Sequence, residues 1–449
     1  MQFNKSPSFV IGDLHQQASD NDDVLGIYIF HKPFLLLRNA ELIKQILIKD
    51  FDYFPDRYFT AQSIQDKIGS SNLFTMHNPE WRQMRTKISP VFSSGKMKKL
   101  FHLIGETADS MNKYLEQQFS HDVKTKTIFM RDVALKYTTD IISSVAFGVK
   151  VNSFDPETVQ FFEKAQEGTR MTLFRAFQFG FMFFFPQFSR WIGGRLLGSS
   201  TNYFRKVFWN SMDIRKMTKA KRGDLIDSLI DLKNGKQEND LKLEGDELVS
   251  QAAIFFVAGR ESSVTTICFT LYELAKHPEI QKRTREEIHE KLKEHGMTYE
   301  AFQSMKYLNQ VISETLRLYP PAPLIDRICV KDYKIPGTEI VVEKGTPVYV
   351  ALTGLHCDPR YFPDPLHFDP DRFSDKNKDN IKQCTYMPFG DGPRVCIGVR
   401  LGLLQSAMAL IGILKDYEIS LDPTCKSTID VRNVFLSVDE GFRLNFTKL

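Results

Sequence analysis

The stretch Phe389-Gly390-Asp391-Gly392-Pro393-Arg394-Val395-Cys396-Ile397-Gly398 carries more chemistry than any other in the sequence. Gly390 and Gly392 permit positive φ, which lets a backbone turn sharply and approach a flat ligand closely. The loop delivers one thiol, Cys396, to the start of a predicted helix. Free backbone N–H groups and the positive end of the helix dipole favour a thiolate there. Gly398 leaves space beside the sulfur. Arg394 is placed to pair with a carboxylate on the ligand. A thiolate held by a loop over a planar ligand suits a haem iron. A second constellation is Ala258-Gly259-Arg260-Glu261-Ser262-Ser263, an acid and a hydroxyl after a glycine. Taken alone it reads as a short polar patch inside a buried helix.

Elements must hold these residues in place, and helical periodicity dominates the chain. A strand pair is expected at Ile27 to Phe30 and Phe34 to Leu37, with Lys32-Pro33 in the turn. Asn39 can cap the helix that follows. Helical patterns recur around Glu80 to Lys87, Phe101 to Gln118, Phe129 to Phe147 and Pro156 to Gly168. Asp246 to Lys276 has no Pro, and its centre QAAIFFVAG is apolar on nearly every side, so it predicts a long buried helix. Further helices are expected over Glu279 to Glu294 and Tyr299 to Leu318. Residues 321–395 turn rich in Pro, Gly and Asp, with short β-like pieces such as Thr346 to Leu352. A last helix is expected to start near Cys396 and run through Leu414. No repeat or linker is visible, and Lys219 to Gly245 reads as a surface loop and helix. The expectation is a single, mainly α unit with minor β over residues 1–449.

Composition excludes several classes. The chain has 449 residues, 42% hydrophobic and 25% charged, which rules out disorder, a collagen-like repeat and a disulfide scaffold. A net charge of +4 gives no global pull on nucleic acid, so no nucleic-acid partner is expected. The 37 Phe can build a large apolar interior or pocket. Six cysteines, none in the first half and none in a C-x-x-C pair, suggest neither zinc nor disulfides. Reduced thiols in a cytosol-facing protein are the simpler reading. The polar N-terminus has no apolar run long enough for a signal or an anchor. Phe174 to Trp191 holds eight Phe and one Trp but is interrupted by Arg175, Gln178 and Pro186. It suits an interfacial patch or the roof of a buried pocket.

The pattern F-x-x-G-x-R-x-C-x-G resembles the haem-binding loop of the cytochrome P-450 superfamily. Other marks of that superfamily follow in order across essentially the whole chain. Glu314-Thr315-Leu316-Arg317 is similar to its E-x-x-R helix, and Phe368-Asp369-Pro370-Asp371-Arg372-Phe373 to the segment that completes a Glu-Arg-Arg cluster. The resemblance makes Glu314, Arg317 and Arg372 structural. It makes Cys396 the axial ligand of haem b, and Phe389 and Gly398 part of the cofactor loop. Trp81 and Arg85 match the W-x-x-x-R helix, and on a helix they share a face. With Arg327 and Arg394 they are implied to bind the haem propionates. Each of these arginines also has the reading of a solvated charge, which suits Arg327 best. Ala258, Gly259, Glu261 and Ser262 resemble the oxygen-activating site. There the Gly opens a local distortion, and the acid and hydroxyl relay protons. Ser262 stands where Thr is usual. Arg260 stands where an apolar residue is common and is expected to face away from the haem.

Phe51-Asp52-Tyr53-Phe54-Pro55-Asp56-Arg57 and Ile88 to Lys98 are similar to the microsomal, drug-metabolising branch, especially insect family six. That branch implies a monooxygenase inserting one oxygen atom of O2 into an apolar small molecule. Xenobiotics, insecticides, fatty acids and steroid-like hormones all fit. It implies electrons from NADPH through a flavoprotein reductase, with cytochrome b5 as a second candidate partner. It also implies the cytosolic face of the endoplasmic reticulum, with peripheral membrane contact where the usual N-terminal anchor is not seen. Lys96, Lys98 and Lys99 could form part of a basic docking face, or an ordinary solvated charge run. Substrate contacts are implied over Arg57 to Thr75, the aromatic segment, Ile254 to Ala258, Pro321 to Leu324 and Phe435 to Val438. A haem-thiolate isomerase or dehydratase, and a catalytically silent haem-binding protein, stand as alternatives.

Overall fold

A computed structural model describes residues 5–59, 66–119, 123–186, 194–234, 243–425, 429–438 and 442–449. Parts of three expected segments, at 60–65, 187–193 and 235–242, lie outside the described residues. The fold is mainly helical with three small sheets.

The central helix runs over Asp246–Lys276, with the bounds that its periodicity predicts. At 1.5 Å per residue it is about 46 Å long. Its apolar surface is core: 61% of its most hydrophobic window is buried inside the protein. Among the described residues it is the one helix long and apolar enough to cross a membrane. It packs against the helix Met130–Ile142 and the last helix, Val399–Leu414. Gly259 permits the first contact, since a Cβ there would lie 2.8 Å from Ile142 Cδ1.

Strands β1 (Val24–Ile29), β2 (Lys32–Leu37), β4 (Leu324–Ile328) and β7 (Pro347–Ala351) form one sheet in the order β1-β2-β7-β4. Phe30 and His31 make the hairpin turn, not Lys32 and Pro33, which pair with Ile29 and Tyr28. Phe30 takes the positive φ, 55°. Further strands are β3 (Thr125–Phe129), β8 (Tyr417–Leu421) and β9 (Arg443–Lys448), which form a second sheet, and β5 (Tyr333–Lys334) and β6 (Val341–Val342), which form the third.

Two other expectations shift. Tyr299 to Leu318 is two helices, Tyr299–Ser304 and Lys306–Leu318, broken at Met305. The Glu287 carboxylate caps the second by accepting from the Tyr307 and Leu308 N–H groups at 2.8 and 2.9 Å. The polar N-terminus contains a helix, Pro7–Gln17, that packs on Leu352–Leu355. Its buried face carries Gly12 and His15 beside Ile11, so no clear apolar stripe announces it. His15 Nε2 meets Asp358 Oδ2 at 3.1 Å.

The aromatic segment serves both expected roles on different faces. The helix Leu173–Phe184 exposes Leu173, Phe174 and Phe177 and buries Met182, Phe183 and Phe184. Phe179, Met182 and Phe183 line an internal cavity.

Candidate active site

The Cys396 loop is built from turns. Gly390 and Gly392 have φ of 75° and 71°. A Cβ on Gly392 would strike the Leu47 carbonyl, so its bareness serves loop packing, not ligand approach. Gly390 does line the cavity. The Cys396 N–H donates to the Phe389 carbonyl at 2.9 Å and closes the loop. The last helix starts at Val399 with Gly398 as its N-cap, so Cys396 precedes the helix. The helix dipole is therefore a weaker influence than the sequence implied. Cys396 has exposed surface, yet that surface is cavity wall deep in the molecule. Burial pushes its thiol up; the Gly398 N–H, Arg85 and Arg57 oppose this. A Cβ on Gly398 would stand 3.9 Å from Cys396 Sγ, facing the sulfur.

One end of the cavity is rich in guanidinium. Arg57, Arg85, Arg327 and Arg394 line it, with Trp81. The Arg394 guanidinium lies over the Trp81 ring, 4.1 Å from its centroid. Arg394 donates to Asp56 Oδ1 at 3.1 Å and to the carbonyls of Pro55 and Met76. Arg57 pairs with Asp326 at 3.0 Å. Arg85 and Arg327 have no carboxylate partner among the described residues. Arg327 is 2% exposed, so it is not the solvated charge that its sequence context allowed. Its Nη1 donates to the Asp326 carbonyl, while its Nε and Arg394 Nη1 are buried without a partner. Burial, with Arg57 nearby, pushes Arg327 down to about 9, and burial with Arg57 and Arg327 does the same to Arg394. Both stay protonated, since arginine keeps its proton in proteins, and each leaves a buried guanidinium nitrogen without a partner.

Ala258, Gly259, Glu261 and Ser262 line the same cavity. The helix is unbroken α through Gly259, so the expected local distortion is not present. Ser262 Oγ donates to the Ala258 carbonyl at 2.7 Å. Glu261 Oε2 accepts from Arg131 at 3.2 Å. Arg260 is buried away from the cavity, bonded to Thr139, Thr169 and Gln166.

Behind the loop, Glu314 and Arg317 make two parallel bonds of 2.7 Å, both side chains wholly buried. Arg372 Nε comes within 3.5 Å of Glu314, and the Asp369 N–H donates to it at 2.9 Å. Sequence reading missed His356. Its Nε2 accepts from the Met387 N–H at 3.0 Å, and its Nδ1 lies 3.0 Å from the Arg317 carbonyl, which it reaches as the neutral Nδ1–H tautomer. Arg317 in turn donates to the His356 carbonyl at 2.8 Å. His356 therefore ties the Glu314 cluster to the turn segment at Met387 that leads into the Cys396 loop. Arg57, expected as a substrate contact, instead joins the guanidinium group through Asp326, and neither Asp56 nor Asp326 was expected in the site; nothing in their spacing links the three before folding does.

The cavity measures 910 Å³. Phe59, Phe74, Phe183 and Phe435 form a run of ring contacts along it, 5.5 to 6.4 Å apart. The residues present fit a haem. One thiol is presented on the wall beside a bare Gly398. Four guanidiniums face two carboxylates at one end, so two positive charges stay uncompensated, matching two propionates. Two buried guanidinium nitrogens are orphaned where those carboxylates would sit.

Comparison with known proteins agrees with this geometry. The profile of the cytochrome P-450 family matches residues 4–446. Cytochrome P-450 6k1 of Blattella germanica is 39% identical over 99% of this chain and 88% of its own length. Probable cytochrome P-450 6g2 of Drosophila melanogaster is 38% identical over 100% of this chain and 90% of its own. Cytochrome P-450 9e2 of Blattella germanica is 36% identical over 93% of this chain and 84% of its own. With its thiol loop and its guanidinium-lined cavity, this chain belongs to the cytochrome P-450 family of haem-thiolate monooxygenases.

Proposed function

We propose that the protein, as one catalytic domain over residues 1–449, inserts one oxygen atom of O2 into an apolar small molecule. Xenobiotics, insecticides, hormones and lipids are the candidate class. The observation that carries this reading is a single aromatic-walled cavity lined by Cys396, Glu261 and Ser262 together. Haem bound through a thiolate supplies oxygen activation, with the sulfur pushing electron density onto the iron.

The chain's own residues do the rest. Cys396 would hold the haem iron, as a thiolate. The Gly398 N–H and Arg85 favour that thiolate against the cost of burial. Trp81, Arg85, Arg327 and Arg394, with Arg57, hold the propionates. Phe389 and Gly398 shape the proximal wall. Ala258 and Gly259 would form cavity wall on the central-helix side, and Glu261 with Ser262 would pass protons from solvent into the cavity. Glu314, Arg317 and Arg372 hold the loop from behind.

Electrons come from NADPH through a flavoprotein reductase, with cytochrome b5 as a second donor. Lys96, Lys98 and Lys99 serve as part of its docking face. Lys98 pairs with Glu300 at 2.5 Å, so that pair must open for Lys98 to take part. Peripheral contact with the cytosolic face of the endoplasmic reticulum uses Leu173, Phe174 and Phe177, with Tyr28 and Phe30 on the β1–β2 hairpin. Ring contacts run from Phe30 through Phe185 and Phe181 to Phe177, which joins the two exposed groups. Turnover of an apolar probe that requires both NADPH and reductase is the expected result. Turnover without reductase would favour an isomerase or dehydratase. Changing all three lysines to Ala is expected to raise the apparent KM for reductase; an unchanged value would refute their role.

A further inference from the structure

Both oxygens of Glu261 face a guanidinium. Oε2 accepts from Arg131 Nη2 at 3.2 Å, and Oε1 lies 3.6 Å from Arg260 Nη1. The two arginines differ in freedom. Arg260 is wholly buried and fixed by three side-chain bonds of 2.7 to 3.0 Å to Thr139, Thr169 and Gln166. Arg131 stands in the first turn of Met130–Ile142, partly exposed on the cavity wall. Its Nε donates to the Val438 carbonyl at 2.8 Å. Asp132 beside it is within 3.4 Å of Lys136 and pairs there instead.

Val438 ends the stretch Phe435 to Val438, which lines the cavity. Within its own loop the Asp430 N–H donates to the Ser437 carbonyl at 2.9 Å and Ile429 bridges to Val438, while Ser6 Oγ donates to the Asn433 carbonyl at 2.6 Å. The Leu436 carbonyl accepts from Thr265 Oγ1 at 3.1 Å, and the Leu436 N–H donates to the Pro321 carbonyl at 3.0 Å. One planar side chain thus bonds both the acid of the central helix and the backbone of a cavity-lining loop.

We propose that Arg131 is a positioning residue: it clamps the Glu261 carboxylate to the 429–438 loop, so that displacement of that loop by substrate is passed to the acid. This rests on the reading of Glu261 as a proton donor. A guanidinium is rigid, so a shift of the Val438 carbonyl either breaks the Nε bond or draws Nη2 off Glu261. Arg260 cannot follow, because its three bonds hold it, and at 3.6 Å it makes no hydrogen bond of its own to Glu261. Once Arg131 moves, the carboxylate is free to turn into the cavity.

The test uses the haem-loaded protein with Arg131→Gln, Arg131→Lys and Thr265→Val. Carbodiimide and an amine label Glu261, read by peptide mass spectrometry, and amide hydrogen exchange reads the 429–438 loop. Arg131→Gln is expected to raise Glu261 labelling roughly tenfold, the scale of one lost charge-assisted hydrogen bond, and to speed exchange in the loop. Arg131→Lys keeps the charge but cannot span both partners. It is expected to bring labelling back toward the parent while exchange stays fast. Thr265→Val loosens the loop with Arg131 intact and is expected to raise labelling as well. Faster exchange with unchanged labelling in Arg131→Gln would make Arg131 a loop tie only and overturn the clamp. Unchanged labelling in Thr265→Val would overturn the transmission. A Glu261→Gln enzyme that releases no more peroxide per NADPH than the parent would instead defeat the proton-donor reading, while the labelling result would stand.

Discussion

Arg327 shows how a single residue reports a missing partner. It is buried, its Nε is unpaired, and two other guanidiniums crowd it. Replacing it with Met should therefore act in opposite directions on two states. Haem retention is expected to weaken by about tenfold to a hundredfold, the scale of one charge-assisted bond. The haem-free protein is expected to melt at the same temperature or higher, because an uncompensated buried charge is gone. A haem-free protein that melts lower, with haem affinity unchanged, would contradict the propionate role. Ser262 gives a second prediction. Its hydroxyl rests on the Ala258 carbonyl, and Ser lacks the methyl that stiffens χ1 in Thr. Ser262→Thr is expected to lower the peroxide released per NADPH; no gain in coupling would sink the idea. Cys396 and its glycines were legible in sequence because a nucleophile among turn residues has few other uses. The ion-pair role of Arg57, and Arg131 and His356 altogether, were not legible, since their partners lie 269, 130 and 31 residues away.

Among elements, the contact between the central helix and Met130–Ile142 depends on Gly259. Gly259→Ala sets the roughly 1 kcal/mol that Ala gains in a helix interior against a forced shift of Ile142 Cδ1, so it is expected to stabilise less than that figure. Adding Ile142→Val removes that atom and should raise the denaturant midpoint above that of Gly259→Ala alone. The Glu314 cluster is the other joint. Arg317→Ala strands a buried carboxylate and is expected to cost about 3–5 kcal/mol; a variant that unfolds and holds haem like the parent would refute this. His356 predicts a pH dependence. Burial pushes it down to about 3 from 6.5, so the native state keeps it neutral where the unfolded chain takes up a proton. The stability that neutral His356 contributes is fully present above pH 6.5 and declines as pH falls toward 3, because in that window only the unfolded chain gains the proton. The parent should lose up to about 1.4 kcal/mol per pH unit in that window relative to His356→Asn. Parallel stability curves would contradict it. Long helices such as Asp246–Lys276 were readable because periodicity and burial agree along their length. The second sheet was not, because β3 pairs with β9, whose partner residues come 314 to 322 positions later.

At the scale of the molecule, the central helix, the last helix and the four-stranded sheet together enclose one cavity and bring a thiol, an acid, a hydroxyl and a cluster of arginines to its wall. The motifs named the parts; only the folded arrangement reveals the charge balance at the arginine end. The exposed aromatic face is a property of the whole surface too. Changing Phe174 and Phe177 to Ser is expected to reduce binding to phospholipid vesicles while leaving the haem spectrum unchanged; equal binding would remove that face from membrane contact. The central claim is that Cys396 binds haem iron as a thiolate in a folded pocket. The carbon monoxide difference spectrum of the reduced, haem-loaded protein tests it most directly. A strongly red-shifted Soret band that is lost in Cys396→Ser is the predicted result. A band at the position typical of a neutral proximal ligand, or no haem uptake, would contradict it.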